Sequence, residues 1–343
     1  MIGYSDSSKD AGKLAASWAQ YCTQEKLQEL SNKYKVNLTL FHGRGSSVGR
    51  GGGPIYEALL SQPPGTVNGR TRVTEQGEII QQKYATESIA EYSLGTYIGS
   101  VLEATLAPPI KPKKHWRELM NVMSKVSTSA YRSNFINKDF LRYYFEITPQ
   151  KVLEQLSIGS RPAKRNKSKN IKSLRAIPWV FAWTQIRFLL PAWLGIYEAL
   201  NYSIKNKKIN VLKDMLNQWP YFYAMMDMLD MVLAKTDQRI IKFYEECLGD
   251  NKLKNTGEKL RKQLSTLIYL NRKIIPTYIL EQRKEYRESV RKRNTYAEVL
   301  NILQADIMKK LYKNKLKIKN KKLLTDAMLV TIAGIAAAMK NVG

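Results

Sequence analysis

The sequence predicts a mostly α-helical protein that also contains parallel β-strands, arranged either as a barrel or as a doubly wound sheet. Two observations support this prediction. Residues 1–54 follow a strand–helix–strand pattern, and a crossover of that kind requires parallel strands. From Leu194 to the end, the apolar spacing is helical, with breaks near Asp250 and Asn255. Alternation of parallel strands with helices is typical of both architectures.

The strand–helix–strand unit is read from its apolar periodicity. Met1–Tyr4 forms the first predicted strand, and Ser5–Ser8 supplies residues that commonly cap a helix N-terminus. Apolar residues at three- and four-residue steps then predict a helix over about Lys9–Lys33. Strict alternation at Val36, Leu38 and Leu40 predicts the second strand.

The remaining elements follow in order along the chain. A glycine-rich loop covers Gly43–Pro54, and a short third strand is expected around Arg72–Thr74. Residues 85–158 are predicted to be helical, with breaks at Pro108, Pro109 and Pro112. A basic loop over 159–175 precedes a further strand, Ala176–Trp183, which is rich in β-branched and aromatic residues.

The composition excludes several classes of protein. A chain of 343 residues with 44% hydrophobic residues is long and apolar enough for a full core, so global disorder is excluded. Cys22 and Cys247 are the only cysteines, which excludes a disulfide framework and a cysteine-based zinc site. Two histidines exclude a histidine-rich metal centre. We therefore expect a reducing, cytoplasmic location.

No targeting or membrane segment is expected. The first ten residues lack the basic and apolar regions of a signal peptide. The apolar stretch 176–195 is interrupted by two prolines, a glutamine and Arg187, and 327–339 is too short to span a bilayer. Both stretches are interpreted as buried core.

The formal charge of +27 has two interpretations. A basic excess can mark a nucleic-acid or anionic-membrane surface, with Lys164–Lys172 and Lys309–Lys322 as the contacts. It can also reflect drift toward lysine, because Lys outnumbers Arg 38 to 18, whereas phosphate recognition favours the bidentate guanidinium of Arg. The even spread of lysine along the chain favours drift, and we expect no nucleic-acid partner.

The segment His42–Pro54 is the most informative motif. Six of the chain's 19 glycines lie between residues 43 and 53, together with Arg44 and Arg50. Glycine allows backbone N–H groups to approach an anion closely, and arginine binds phosphate or carboxylate in a bidentate manner. The motif therefore predicts an anion site; the alternative is a flexible linker.

The first strand is followed by a second candidate site. Asp6 offers a carboxylate to a divalent cation, and Lys9 offers an ammonium to an anion. The alternative is a plain helix cap with a solvated lysine, and one aspartate is not enough for Mg²⁺. Because Asp6 and Arg44 each follow a predicted strand, we expect them at the same edge of the sheet.

Several segments of the chain together resemble a known family. They are MIGYSDSSKDAG, FHGRGSSVGRGGGP, SQPPGTVNGRTRVTEQGE, IGSRPAKR, SLRAIPWVFAWTQIRFLLPAWLG and the terminal KNVG, in this order. Across residues 1–343 the sequence resembles the C-terminal portion of phosphoenolpyruvate carboxylases. The resemblance implies a part of a (β/α)8 TIM-type barrel with many additional helices. Residues 1–195 would hold the barrel and active-site loops, and residues 196–343 a helical region with an inhibitor site and tetramer contacts.

The resemblance also implies an activity and its partners. The family forms oxaloacetate and phosphate from phosphoenolpyruvate and bicarbonate, with Mg²⁺ or Mn²⁺, as a cytoplasmic homotetramer. By position in the matching motifs, Asp6 would bind the metal, Lys9 and Arg50 would be catalytic, and Arg44 and Arg175 would hold the substrate phosphate. Lys235, Arg293 and Asn341 would bind the inhibitor, aspartate or malate.

The sequence also departs from the family pattern. Nothing in it matches the family's catalytic histidine or the second metal carboxylate, both expected in N-terminal sequence. We therefore expect the 343-residue chain to be inactive alone. A separate N-terminal chain could complete the enzyme, the gene could be a decaying remnant, or the sequence could be one part of a longer protein. A non-catalytic remnant, or a basic protein that binds RNA or an anionic surface, is the alternative. Residues 166–170 and Val299 also differ from the usual family residues.

Overall fold

The computed structural model describes residues 1–2, 5–43, 55–75, 77–153, 175–275, 284–313 and 318–339. These residues are mostly helical, with a few short parallel strands. A complete barrel is not shown by the described residues. The helices are α1 Ser5–Ala11, α2 Lys13–Tyr34, α3 Ile55–Leu60, α4 Gly77–Tyr84, α5 Glu87–Leu106, α6 Lys114–Ile136, α7 Lys138–Ile147, α8 Gln150–Leu153, α9 Ala176–Gln185, α10 Ile196–Lys205, α11 Ile209–Gln218, α12 Pro220–Leu233, α13 Gln238–Leu248, α14 Asn251–Ile274, α15 Lys284–Lys313 and α16 Ile318–Met339.

Parallel pairing is present where the sequence predicted it. Strand β1 is Phe41–His42 and strand β2 is Arg72–Val73, and they pair in parallel with Phe41 opposite Arg72. Ile2 forms a further parallel bridge with His42. The third predicted strand is confirmed, whereas the second was placed too early, since pairing with β2 begins at Phe41 and Val36 is 61% exposed.

The predicted first helix is two helices. Helix α1 ends at Ala11 and α2 begins at Lys13. Gly12 separates them with a φ of 84°, a conformation that L side chains rarely adopt. A Cβ atom at this position would lie 3.2 Å from the Tyr131 ring. Apolar periodicity continues across this break, so it could not reveal the change of direction.

The strand predicted over Ala176–Trp183 is wrong, because this segment is helix α9. Almost every residue of α9 is buried. A continuous apolar run carries no periodicity that separates a buried strand from a buried helix. Pro178 lies in the first turn of the helix, where a missing N–H group leaves no intrahelical bond unmade.

The helical predictions for the rest of the chain are largely confirmed. Helices α5 to α8 occupy most of 85–158, and the prolines lie between α5 and α6. Asp250 lies between α13 and α14. It caps the N-terminus of α14, since its Oδ1 accepts a hydrogen bond from the Leu253 N–H at 2.9 Å. The break expected near Asn255 is absent, because α14 runs without interruption from Asn251 to Ile274.

One large apolar core joins these helices. It extends from Leu14 on α2 to Ile332 on α16, so it includes side chains from both sides of residue 195. Its centre is rich in aromatic rings, among them Trp116 and Trp219, which stack with centroids 5.9 Å apart. The division into residues 1–195 and 196–343 stays a prediction.

Helix α16 is longer than the apolar stretch seen in the sequence. Its part Asn320–Met339 has a mean hydropathy of 1.6, so by length and composition alone it could cross a membrane. A core helix passes the same test, and α16 packs along α15. A Cβ atom on Gly334 would lie 2.6 Å from Leu300 Cδ1, which shows how closely the two helices approach.

Candidate functional site

The carboxyl ends of three parallel segments define one edge of the small sheet, here called the strand edge. The Ile2 N–H donates to the Phe41 carbonyl at 2.8 Å, and the Thr74 N–H donates to the His42 carbonyl at 2.8 Å. After this edge the chain continues into α1, into Gly43 and into Glu75, respectively. Ile2 and β1 therefore reach the same edge of the sheet, and along the chain α1 with Asp6 follows Ile2 while Gly43 follows β1.

Helix α1 carries Asp6 and Lys9. Asp6 is exposed, and Lys9 is partly buried. The main chain of α1 is held from α6, because the Tyr131 hydroxyl donates to the Lys9 carbonyl at 2.8 Å. Arg132 Nη2 also donates to Asp10 Oδ2 at 3.0 Å. The position of Lys9 is thus set by neighbours on α6.

Arg175 immediately precedes α9, and its carbonyl accepts the first hydrogen bond of that helix, from the Trp179 N–H at 3.3 Å. Helix α9 packs against α1. The structure therefore brings the segment of Arg175 to the helix that bears Asp6 and Lys9. The described residues do not include Arg44, Arg50 or the basic loop 159–174, which contains 166–170.

His42 is buried in the strand edge and is 4% exposed. Burial lowers the pKa of its imidazole to about 4, and the positive N-terminal ammonium lowers it in the same direction. His42 is therefore neutral at physiological pH. It borders the glycine-rich segment as an uncharged buried group.

A cluster of Glu75, Lys83 and Tyr97 at the strand edge was not identified from the sequence. Glu75 Oε1 accepts from Lys83 Nζ and from the Tyr97 hydroxyl, both at 2.7 Å. Glu75 follows β2 as Asp6 follows the first strand segment. The rule that selected Asp6 would therefore have selected Glu75.

Two of the three predicted inhibitor residues, Lys235 and Arg293, lie in a second region, here called the arginine corner: Arg187, Lys235, Arg293 and Asn294. Arg187 Nε donates to the Lys235 carbonyl at 2.9 Å, and its Nη2 donates to Asn294 Oδ1 at 3.1 Å. Arg293, the residue before Asn294 on α15, donates through Nη1 to the Ala338 carbonyl at 2.7 Å. The structure thus joins the segments of Lys235 and Arg293. Asn341 lies outside the described residues.

The described residues do not by themselves form a metal site. In the described part of the chain no group of three or more histidine, cysteine, aspartate or glutamate residues is arranged to hold a metal ion. Asp6 is a single exposed carboxylate on a short helix. Since Mg²⁺ requires several oxygen ligands, this donor set is incomplete.

Comparison with known proteins identifies a family for the chain. The family model described as phosphoenolpyruvate carboxylase matches residues 1–343. The chain is 47% identical over 345 residues to the phosphoenolpyruvate carboxylase of Shewanella loihica and 48% identical over 347 residues to that of Marinobacter nauticus. It is also 47% identical to that of Vibrio vulnificus. Each alignment covers all of this chain and 39% of the relative.

Short parallel strands within a largely helical protein place the chain in the α/β class. The chain belongs to the phosphoenolpyruvate carboxylase family. The enzymes of this family are lyases. The chain spans about two-fifths of the length of the curated relatives that it matches, 39% in each case above.

Proposed function

We propose that this chain supplies the phosphoenolpyruvate- and bicarbonate-handling portion of a phosphoenolpyruvate carboxylase, which forms oxaloacetate and phosphate. The observation that carries the proposal is the strand edge. There, Ile2 bridges to His42 just before α1, which bears Asp6, β1 pairs in parallel with β2, and α9, which follows Arg175, packs against α1. These contacts support a common site for Asp6 and Arg175, and Arg44 and Arg50 are added to it from the family motif. Family membership supports the same reaction.

The reaction requires a site rich in fixed positive charge. Bicarbonate oxygen attacks the phosphorus of phosphoenolpyruvate, and the bond from phosphorus to the enol oxygen breaks, leaving the enolate of pyruvate and carboxyphosphate. Carboxyphosphate releases phosphate and carbon dioxide, and carbon 3 of the enolate attacks the carbon dioxide. Every species except carbon dioxide is an anion, so guanidinium and ammonium groups that are already in position stabilise these species.

Each proposed residue then has a defined task. Arg44 and Arg175 hold the phosphate of the substrate, while Lys9 and Arg50 stabilise negative charge that develops during the transfer. The hydrogen bond from the Tyr131 hydroxyl to the Lys9 carbonyl supports a fixed position for Lys9. Members of the family use a divalent cation, for which Asp6 would supply one oxygen ligand; the described donor set is incomplete, so no step is assigned to it.

The test is a turnover assay on the 343-residue chain with phosphoenolpyruvate, bicarbonate and Mg²⁺, reading oxaloacetate and phosphate together. We expect no turnover by the chain alone, and turnover when the part of the Shewanella loihica enzyme that it does not cover is added. Lys9→Met should abolish the complemented activity, whereas Lys125→Met, at an exposed position of α6, should not. Turnover by the chain alone would contradict the first expectation.

We also propose that the arginine corner binds a dicarboxylate inhibitor such as aspartate or malate. Lys235 and Arg293 supply two cations, and Asn341 an amide. The hydrogen bonds that join the Lys235 and Arg293 segments support this grouping. Titration calorimetry of the chain with L-aspartate tests it directly, and absence of binding would contradict it.

A further inference from the structure

Arg187 is a buried cation whose backbone has an unusual conformation. It is 1% exposed, and it lies just after α9 with a φ of 59°. Non-glycine residues rarely adopt this left-handed conformation, so the surroundings must hold it in place. Its carbonyl accepts from the Asp237 N–H at 3.1 Å while its guanidinium donates to Lys235 and Asn294.

The charge of Arg187 is not neutralised by a direct ion pair within the described ranges. Asp237 and Glu298 lie near enough to oppose the lowering of the Arg187 pKa that burial causes. Both of these carboxylates are instead within 3.1 Å of Arg239 Nη2. Arginine remains protonated in proteins, so a buried positive charge persists here.

Two buried nitrogen atoms of the arginine corner have no hydrogen-bond partner among the described residues. They are Arg187 Nη1 and Arg293 Nη2. Buried donors of native proteins are almost always paired, and an unpaired guanidinium nitrogen is costly. The two arginines are linked through Asn294, which follows Arg293 and accepts from Arg187, and a carboxylate is an acceptor that pairs strongly with a guanidinium.

Arg187 also bridges the segments that carry the proposed inhibitor residues. It holds the main chain at Lys235, in the turn between α12 and α13, and the side chain of Asn294 on α15. Loss of this bridge would release both segments while leaving Lys235 and Arg293 chemically intact. Substitution of Arg187 would therefore change ligand affinity through the positions of these segments as well as through the lost charge.

We propose that Arg187 is a positioning residue of the dicarboxylate site: it orders Lys235 and the Arg293–Asn294 segment and adds a buried positive charge that a bound dianion compensates. This inference rests on the proposed inhibitor function of the same site. It adds a residue that contributes to affinity and to the preference for two carboxylates.

The experiment measures binding of L-aspartate to the 343-residue chain by titration calorimetry, with circular dichroism and thermal melting on each variant. Arg187→Gln should weaken binding by about tenfold or more, because it removes charge-assisted hydrogen bonds. The matched control is Arg291→Gln, which makes the same change on α15 at a side chain that is 77% exposed and paired with Glu288. It should bind like the wild type.

Chemical rescue separates positioning from a general structural role. In Arg187→Ala, added guanidinium chloride should restore part of the aspartate affinity, whereas NaCl at equal ionic strength should not. If Arg187→Gln fails to fold, Arg187→Lys retains the charge but cannot reach both acceptors, and it should bind aspartate more weakly than the wild type.

The possible results are distinct. Wild-type affinity in Arg187→Gln, or in Arg187→Lys where that variant is used, overturns the role of Arg187 and leaves the dicarboxylate site standing. Equal losses in Arg187→Gln and Arg291→Gln, or no rescue by guanidinium, also overturn it. No aspartate binding by the wild-type chain overturns the proposed inhibitor site itself, and this inference with it.

Discussion

Helices α5 and α14 have similar lengths, 20 and 24 residues, but they turn opposite kinds of face toward the interior. Helix α14 buries its leucines, such as Leu264 and Leu267, at 0% exposure. Helix α5 instead buries Ser93, Ser100 and Ala104. Its apolar stripe faces outward, and the exposed members are Leu94, Ile98, Leu102 and Leu106.

The difference shows that the neighbours of a helix, rather than its apolar face, decide what is buried. Helix α5 packs against α3 and α4, with Tyr97 and Val101 against the α3 cluster of Ala58 and Leu59. Helix α14 contacts α10, α7 and α13, which together cover its leucine face. The following experiments test this contrast, from the largest expected effect to the smallest.

The largest effect is expected at the buried ion pair between Glu245 on α13 and Arg261 on α14. Glu245 is 1% exposed, accepts from the Tyr143 hydroxyl at 2.7 Å and pairs with Arg261 Nη2 at 2.9 Å. Burial raises the pKa of Glu245, and Arg261 opposes this rise. Arg261→Leu leaves the carboxyl group without its cation and should lower the free energy of unfolding by about 3–5 kcal/mol in urea titrations.

The control for this variant is the next residue. Lys262 pairs with Glu258 at 3.0 Å and is 77% exposed, so Lys262→Leu should change stability by less than about 0.5 kcal/mol. Equal effects of the two substitutions would show that the buried pair contributes no more than a surface pair.

A matched pair of isoleucines tests the contrast between α5 and α14 directly. Ile274 on α14 is 0% exposed and Ile98 on α5 is 67% exposed. Ile274→Ala should cost about 2–5 kcal/mol of unfolding free energy, because it leaves a cavity in the core. Ile98→Ala should cost less than about 1 kcal/mol, because little burial is lost and the higher helix propensity of alanine offsets part of that loss. A large loss of unfolding free energy in Ile98→Ala would mean that the apolar stripe of α5 is buried against other residues.

The strand edge should show its own dependence on pH. The His42 pKa is about 4 in the folded protein against an ordinary value of 6.5. The unfolded chain therefore binds the proton first as pH falls, and stability decreases between pH of about 6.5 and about 4, by up to ~3 kcal/mol. The difference in unfolding free energy between wild type and His42→Gln across this range isolates the histidine.

His115 supplies the comparison, because its side chain is 54% exposed. His115→Gln should retain the pH dependence of the wild type. A His42→Gln variant whose stability keeps the same slope with pH would contradict the assignment of this transition to His42.

The smallest effect on stability is expected from charges placed on the α5 stripe. We expect Leu94→Lys with Ile98→Lys to leave the melting temperature nearly unchanged, because both side chains are at least half exposed. Self-association of the chain, read by sedimentation velocity, should decrease, because a contiguous apolar stripe promotes association. Unchanged self-association would show that the chain associates through a surface other than the α5 stripe.

Much of the candidate site could be predicted from sequence because its positions are local. Asp6 follows the first strand segment by a few residues, and β2 lies where Arg72 and Val73 were expected. Glu75 was missed although the same rule applied to it. Arg187 was noticed only as an interruption of an apolar stretch, since sequence does not reveal which distant carbonyl will accept its hydrogen bond.

By itself, the sequence determined the family, the order of most helices and the parallel pairing near the N-terminus, because these depend on motifs and on spacing within short stretches. Tertiary structure alone decided that 176–185 is a helix, that α5 turns its apolar stripe outward and that Arg187 bridges two remote segments. Those outcomes depend on burial and pairing between residues far apart in the chain, which local periodicity does not encode.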